Sequence, residues 1–320
     1  MPANLPPQYF ETEKKYRESK TLQEKLFYLQ ELLAIIPKHK GTEKLQGELK
    51  AKISKTKEMM KQVKKTMGST SWYQVDRQGA GQVVLVGLPN SGKSALLNLL
   101  TNTRVEVAPY PFTTNNFQVG MMEYEDIKIQ IVDCPPVSEG APPWLYATFR
   151  FADLLLIVLD AASDDLLKQM EFINTQLEAR NIFIQKDKPE AKRNIALLNK
   201  IDVPNALENS EIFLDVYQSM FNVQKISAVT GEGFENLKPL IFKYLNIIRV
   251  YTKKIGSPPV KKDPIVLQYG STVIEAAEYI HKDFKKNLQF TRLWNNTGYS
   301  GQRVEKNHVL QDGDIIEFHL

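Results

Sequence analysis

From Thr21 to Ile36 the apolar residues Leu22, Leu26, Leu29, Leu33 and Ile36 recur at alternating spacings of four and three. That spacing is one face of an amphipathic helix. Pro37 and Gly41 interrupt the pattern, and it resumes through Leu45, Leu49, Ile53, Met60 and Val63. Two helices joined by a short turn predict an antiparallel hairpin, which we place in residues 1–68. The pattern then changes. Val83–Val86, Ile127–Val132, Leu154–Leu159 and Ile195–Leu198 are short runs rich in Val, Ile and Leu. They read as strands buried on both faces. Helical stretches near 93–101, 163–179, 208–220 and 234–247 separate them, so residues 69–255 predict a doubly wound, mostly parallel α/β sheet. Pro258-Pro259 and Lys261-Lys262 mark a linker. Residues 260–320 then predict a small α+β unit, short strands around one helix that starts at a Thr272–Glu275 capping box. No internal repeat or low-complexity tract interrupts this division.

Composition narrows the class. A chain of 320 residues, 42% hydrophobic and 24% charged, can bury a sizeable core, which excludes a wholly disordered protein. Its longest strongly apolar run, Leu154–Leu159, is far short of the ~20 residues a spanning helix needs, so no membrane partner is expected. Met1–Lys15 lacks the apolar stretch of a secretory signal, and the single cysteine, Cys134, cannot form an internal disulfide. Both point to a cytoplasmic protein. The net charge of +4 hides an asymmetry: residues 14–65 carry 14 Lys and Arg17 against 6 Glu, while the rest is acidic. The Lys-rich faces are either a solvated exterior or an anion-binding arm. Amphipathicity explains the leucines but not the basic excess, and a polyanion, nucleic acid first, is the partner that excess fits.

Gly87-Leu88-Pro89-Asn90-Ser91-Gly92-Lys93-Ser94 fits G-x-x-x-x-G-K-[ST] at every fixed position, between a predicted strand and a predicted helix. Such a loop cradles phosphates with backbone N–H groups at a helix N-terminus, which suits an anion. Lys93 sets a point charge on the β- and γ-phosphates, and the Ser94 hydroxyl is a Mg²⁺ ligand. The fold class is therefore that of a P-loop NTPase. Asn199-Lys200-Ile201-Asp202 follows the strand Ile195–Leu198, about 105 residues after the phosphate loop. There Asp202 can accept two N–H bonds from a guanine edge, Asn199 can support base and loop, and the Lys200 stem can pack along the ring. Ser227-Ala228-Val229 lies in a turn suited to backing the base. This set argues against an ATPase or nucleotide kinase. Asp133 ends another strand, where a carboxylate reaches Mg²⁺ through its water shell, and the hydroxyls of Tyr110-Pro111-Phe112-Thr113-Thr114 can complete the Mg²⁺ and γ-phosphate contacts.

Tyr110–Thr114, the Asp133-Cys134-Pro135 turn and Glu139-Gly140-Ala141 resemble the Obg-like GTPases. Within them the chain is similar to the developmentally regulated GTP-binding protein (DRG) family. Lys38–Lys50 looks like that family's N-terminal helical hairpin. Gly301-Gln302-Arg303-Val304, His308-Val309-Leu310 and Asp312-Gly313-Asp314 are similar to a TGS domain, a β-grasp module. The resemblance implies GTP as substrate, with Gly87, Asn90, Ser91, Gly92, Lys93 and Ser94 on the phosphates. Ser94 and Thr114 would ligate Mg²⁺, with Asp133 behind them, and Asn199, Lys200 and Asp202 would read guanine. It also implies Lys93 and Thr114 as the catalytic pair and the ribosome or another structured RNA as partner, through hairpin and TGS unit. Asn90 matches the asparagine of potassium-stimulated members, which implies K⁺; its other reading is a loop residue that tolerates left-handed backbone.

Two departures from that pattern stand out. The family's D-x-P-G reads Asp133-Cys134-Pro135-Pro136 here. The missing glycine's N–H is the donor that senses the γ-phosphate, and proline has none. Weakened sensing follows, with slow hydrolysis, since Val137 stands where other GTPases orient water with glutamine. The rival reading is a hydrolysis-deficient scaffold that binds GTP or GDP through a degenerate switch. The second departure is length: about 40 residues between Asp160 and Asn199 are too few for the family's small inserted domain. In the C-terminal unit Trp294, Tyr299 and Arg303 can stack on or pair with RNA; the other reading makes Trp294 a core residue and Arg303 a solvated surface residue. His281, His308 and His319 lack metal-like spacing. Cys134 reads as a small packing residue.

Overall fold

The computed structural model describes residues 6–18, 22–36, 42–66, 75–101, 106–108, 117–188, 190–295, 298 and 300–320. They fall into two compact units, Met1–Trp72 and Tyr73–Leu320.

The first unit is three helices, α1 (Pro7–Glu18), α2 (Leu22–Ile35) and α3 (Glu43–Thr66). Helix α2 packs against both others. Tyr9, Leu29, Leu32, Ile36 and Leu49 close the core, with Leu33 and Leu45 half-buried against it. The predicted hairpin is α2–α3, and α1 is an addition to it. Its inward face is Tyr9, Thr12 and Tyr16, right for a helix in spacing but too polar to stand out as an apolar stripe. Pro7 at its first position suits a helix start. Lys14, Lys15, Lys44, Lys50, Lys52 and Lys55 are exposed. Among the described residues of this unit only Arg17 pairs with a carboxylate, that of Glu13 at 2.9 Å. The side chains of Leu22, Met60 and Val63 lie outside the described residues.

The second unit begins β1 (Gln82–Gly87), α4 (Lys93–Leu100), β2 (Glu106–Ala108), β3 (Phe117–Tyr124), β4 (Ile127–Asp133), α5 (Pro143–Phe151) and β5 (Leu154–Asp160). It continues α6 (Leu166–Glu178), β6 (Asn194–Asn199), α7 (Ala206–Tyr217), β7 (Val223–Lys225) and α8 (Phe234–Leu245). The sheet order is β2-β3-β4-β1-β5-β6-β7. Strands β4, β1, β5, β6 and β7 run parallel, and β2 and β3 are antiparallel additions at one edge. Both faces are covered. Val84 and Val86 of β1 join a core with Leu145, Phe149, Met170 and Phe213, while Val83 and Leu85 join another with Leu96, Leu100, Ile241 and Leu245. Strands buried on both sides can be apolar throughout, which is why they read as unbroken runs. Parallel pairing brings the ends of β1, β4, β5 and β6 to one sheet edge, with Leu85 opposite Asp133 and Asp160 opposite Asn199. In open α/β sheets that edge takes the ligand.

The chain ends with β8 (Ile247–Thr252), β9 (Ile265–Gln268), α9 (Val273–Ile280), α10 (Lys282–Asn287), β10 (Phe290–Trp294), β11 (Ser300–Val304) and β12 (Ile315–His319). The second sheet runs β11-β10-β12-β8-β9. The Thr272–Glu275 capping box starts α9. Residues 247–252, which the sequence pattern includes in the 69–255 region with 247 ending a helix, form a strand of the second sheet. Alternation explains the handover: Ile247 stays in the first sheet's core beneath α4 and α8, whereas Ile248 and Val250 face the second sheet's core. Between them Arg249 fastens the two sheets. Its Nε and Nη2 donate to the Asp312 carboxylate at 3.0 and 2.7 Å, and Nη1 donates to Glu125 and Asp126 at the β3–β4 turn. The Tyr251 hydroxyl donates to Asp126 at 2.5 Å. Burial, then that bond, pushes Tyr251 up to about 12. Asp312 is an exposed residue; partial desolvation pushes its carboxyl up, but the bonds from Arg249 outweigh that and hold it below the usual range. No helix among the described residues is long and apolar enough to cross a membrane.

Candidate nucleotide-binding site

The loop after β1 turns through Asn90 at φ 62° and Gly92 at φ 94°, both left-handed. Asparagine tolerates that region, but Gly92 is required twice over, since a Cβ there would also lie 2.2 Å from Asn199 Nδ2. At Gly87 a Cβ would lie 2.5 Å from the Val158 carbonyl. The loop thus sits tight on β5 and β6 and delivers Lys93 to the first position of α4. Lys93 is buried, and its ammonium folds back to donate to the Leu88 carbonyl at 2.8 Å and to Gly87 at 3.3 Å. Burial lowers its pKa, with Asp133 pulling the other way.

Ser94 Oγ donates to Asp133 Oδ2 at 2.5 Å, joining the start of α4 to the end of β4. The other oxygen, Asp133 Oδ1, is buried without a hydrogen-bond partner, and so is Ser91 Oγ. Burial raises the Asp133 carboxyl above its ordinary range, against the opposing pull of Ser94 and Lys93. Native proteins seldom leave buried polar atoms unpaired, and of the five such side-chain atoms among the described residues two lie together at the mouth of the phosphate loop. A hydroxyl beside a carboxylate, with one carboxylate oxygen free, is an all-oxygen donor set that fits Mg²⁺.

The loops after β6 and β7 differ in character. Asn199 is buried, donating Nδ2–H to the Ser91 carbonyl at 2.9 Å and accepting the Ala228 N–H at 3.0 Å. It ties the phosphate loop to the loop after β7. Ser227 Oγ donates to Asp202 Oδ1 at 2.5 Å and accepts the N–H groups of Val229 and Thr230. The carboxylate of Asp202 is held in place while Asp202 and Val229 face solvent. Lys200, at φ 69°, pairs its ammonium with Asp160 at the end of β5. Asp160 also accepts the Ala162 N–H at 3.1 Å. Sequence reasoning passed over Asp160, whose one signal is a carboxylate closing the apolar run of β5.

The structure therefore gathers Gly87, Asn90, Ser91, Gly92, Lys93, Ser94, Asp133, Asn199, Lys200, Asp202, Ser227, Ala228 and Val229 along one sheet edge. Thr114, with the rest of Tyr110–Thr114, lies outside the described residues, as does Tyr299. Cys134 is fully buried, and burial pushes its thiol up, as for a packing residue. Trp294 is half-buried, with Lys253 Nζ 4.3 Å from its ring centroid and Gly301 packed on it, so protein groups occupy its ring, in line with the packing reading rather than RNA stacking. Arg303 is exposed and lies over Phe290, 4.5 Å from the ring centroid.

Residues 82–200 match the family of 50S ribosome-binding GTPases, and residues 248–320 match the TGS domain. An uncharacterized GTP-binding protein of Methanocaldococcus jannaschii is 29% identical over 92% of this chain and 92% of its own length. That alignment runs over 365 positions although the chain has 320 residues, so the relative carries residues with no counterpart here. Developmentally-regulated GTP-binding protein 2 of Mus musculus is 27% identical over 92% of this chain and 98% of its own. Developmentally-regulated G-protein 3 of Arabidopsis thaliana is 29% identical over 93% and 98%. Among solved structures, a GTP binding protein of Pyrococcus horikoshii covers 74% of this chain at 14% identity and a TM-score of 0.50, a likeness of fold alone.

Proposed function

We propose that the chain, 27–29% identical to developmentally regulated GTP-binding proteins over 92–93% of its length, belongs with that family and is a slow, Mg²⁺-dependent GTPase working on the ribosome or another structured RNA in the cytoplasm. The observation that carries this reading is the pair of unpartnered buried oxygens, Ser91 Oγ and Asp133 Oδ1, facing a guanine side whose polar groups are already bonded.

In this reading Ser91 and the loop N–H groups hold the β-phosphate, and Lys93 gives up its two carbonyl bonds to reach the β- and γ-phosphates. Ser94, Thr114 and Asp133 would hold Mg²⁺, which supplies charge to the phosphate oxygens. Asp202 accepts two N–H groups of guanine, and Lys200, braced by Asp160, lays its stem along the ring. Hydrolysis is attack by water on the γ-phosphorus, with cleavage of its bond to the β–γ bridging oxygen. Lys93 neutralises charge that builds on the leaving GDP. Val137 stands where other GTPases orient that water with glutamine, hence the slow rate. The exposed lysines of α1 and α3 supply the polyanion contact, and Asn90 makes K⁺ a candidate stimulant.

The test is multiple-turnover GTP hydrolysis in K⁺ and then Na⁺ buffer, with and without ribosomes, with Lys93→Ala as blank. Turnover that depends on Lys93 and rises with ribosomes supports the reading. Tight binding without turnover under any condition favours the second reading, a non-hydrolysing scaffold, for which Pro136 is the specific observation. RNA binding that keeps its salt dependence after residues 1–68 are removed would contradict a role for the basic helices.

A further inference from the structure

We infer that the segment Cys134–Ala141 is fixed against the phosphate loop and does not follow the γ-phosphate, so that this site registers whether a guanine nucleotide is bound rather than whether it is GTP or GDP. The inference rests on the nucleotide-binding reading above and concerns how that site is regulated.

Three features hold the segment. The Val137 N–H donates to the Gly87 carbonyl at 3.1 Å, a backbone bond from the segment to the first residue of the phosphate loop. Cys134, Val137 and Ala141 are all buried in the core that holds Val84 and Val86 of β1 and Leu145 of α5. Apolar anchors therefore lie at both ends of the segment and in its middle. Between the first two, Cys134 and Pro135 each precede a proline, which keeps both out of helical backbone, and the two rings fix φ at residues 135 and 136. The stretch has little freedom to lose or gain.

The backbone donors at positions 136 and 137 are both accounted for. A γ-phosphate approaching this side meets position 136 first, and Pro136 has no N–H. The next N–H, that of Val137, is committed to Gly87. Lys93 shares that carbonyl at 3.3 Å, and a carbonyl accepts two bonds, so Lys93 can leave for the phosphates without freeing the Val137 N–H. Releasing that N–H would also draw the buried Val137 side chain out of its core. A ligand shifts a conformational equilibrium only by its differential affinity for the two states, and at positions 136 and 137 the γ-phosphate finds no free N–H that would supply one. Pro136 itself is exposed, so replacing it disturbs no packing.

The experiment measures the affinities of the full chain for GDP and for a non-hydrolysable GTP analogue in Mg²⁺ buffer, for the native protein and for Pro136→Ala and Pro136→Gly. The native protein is expected to hold both nucleotides within about threefold. Each variant regains an N–H and should shift the ratio towards the GTP analogue by about tenfold or more, the worth of one hydrogen bond to a charged group. Amide exchange over residues 137–141 should be equally slow with either nucleotide in the native protein. A native preference for the GTP analogue beyond tenfold overturns the inference, as does an unchanged ratio in both variants, or exchange that differs between the two nucleotides. A native protein that binds neither nucleotide defeats the underlying reading instead, so the two failures are distinguishable.

Discussion

The two halves of the candidate site lie on the same sheet edge but are finished to different degrees. On the guanine side the protein satisfies itself: Asn199, Asp202, Ser227 and Lys200 all have protein partners. On the phosphate side Ser91 Oγ and Asp133 Oδ1 are buried and unpaired, and Lys93 is parked on loop carbonyls. The difference follows from what each half must recognise. A neutral base is read by a few directed bonds, which prebuilt loops supply at little cost of ordering. A polyanion needs donors and charge, and their desolvation goes uncompensated until it arrives.

The comparison can be broken at its strongest point first. Lys93→Ala removes the one ammonium on the phosphate side and should weaken GDP and GTP binding by about 100-fold, read by calorimetry, with the melting temperature nearly unchanged. Asp202→Asn acts on the other half. It presents one donor and one acceptor instead of two acceptors, so guanine nucleotides should lose about 100-fold while xanthine nucleotides gain. Asn199→Ala cuts the tie between the halves and leaves the Ser91 carbonyl and Ala228 N–H without partners. It should lower unfolding free energy by about 2 kcal/mol in a denaturant titration.

The smallest effect is the most diagnostic. Burial holds the Asp133 carboxyl above its ordinary range, so the folded, nucleotide-free protein disfavours the ionised form. The contribution of this group to stability is complete below its unfolded pKa and is lost as pH rises through the raised folded value. Asp133→Asn should therefore match the native protein in acid and become the more stable of the two as pH rises towards neutrality, while losing the Mg²⁺-dependent part of GTP binding. Equal stability across the whole range would show that Asp133 carries no such burden.

Much of the site was legible because its chemistry is local. Gly87–Ser94 and Asn199–Asp202 are short fixed strings after apolar runs, and a parallel sheet necessarily brings such ends together. What escaped depends on relations that spacing does not carry. Asp160 acquires a role only because β5 lies beside β6. Val137 matters through a backbone bond, to which its side chain gives no clue. Strand β3 mixes Gln118, Gly120 and Glu123 with its apolar residues, since it lies towards an edge of the sheet, and α1 hides its inward face in tyrosines. Strand β8 changes cores in mid-course, because Ile247 and Ile248 point to opposite faces, and two adjacent isoleucines show no boundary between them.

The claim that one sheet edge holds a prebuilt guanine side and a waiting phosphate side is tested most directly by competition of GDP against ADP for the full chain. The account predicts that GDP binds at least about 100-fold more tightly, that Asp202→Asn abolishes this preference, and that Lys93→Ala weakens both nucleotides while preserving it. Equal affinity for GDP and ADP in the native protein would contradict it.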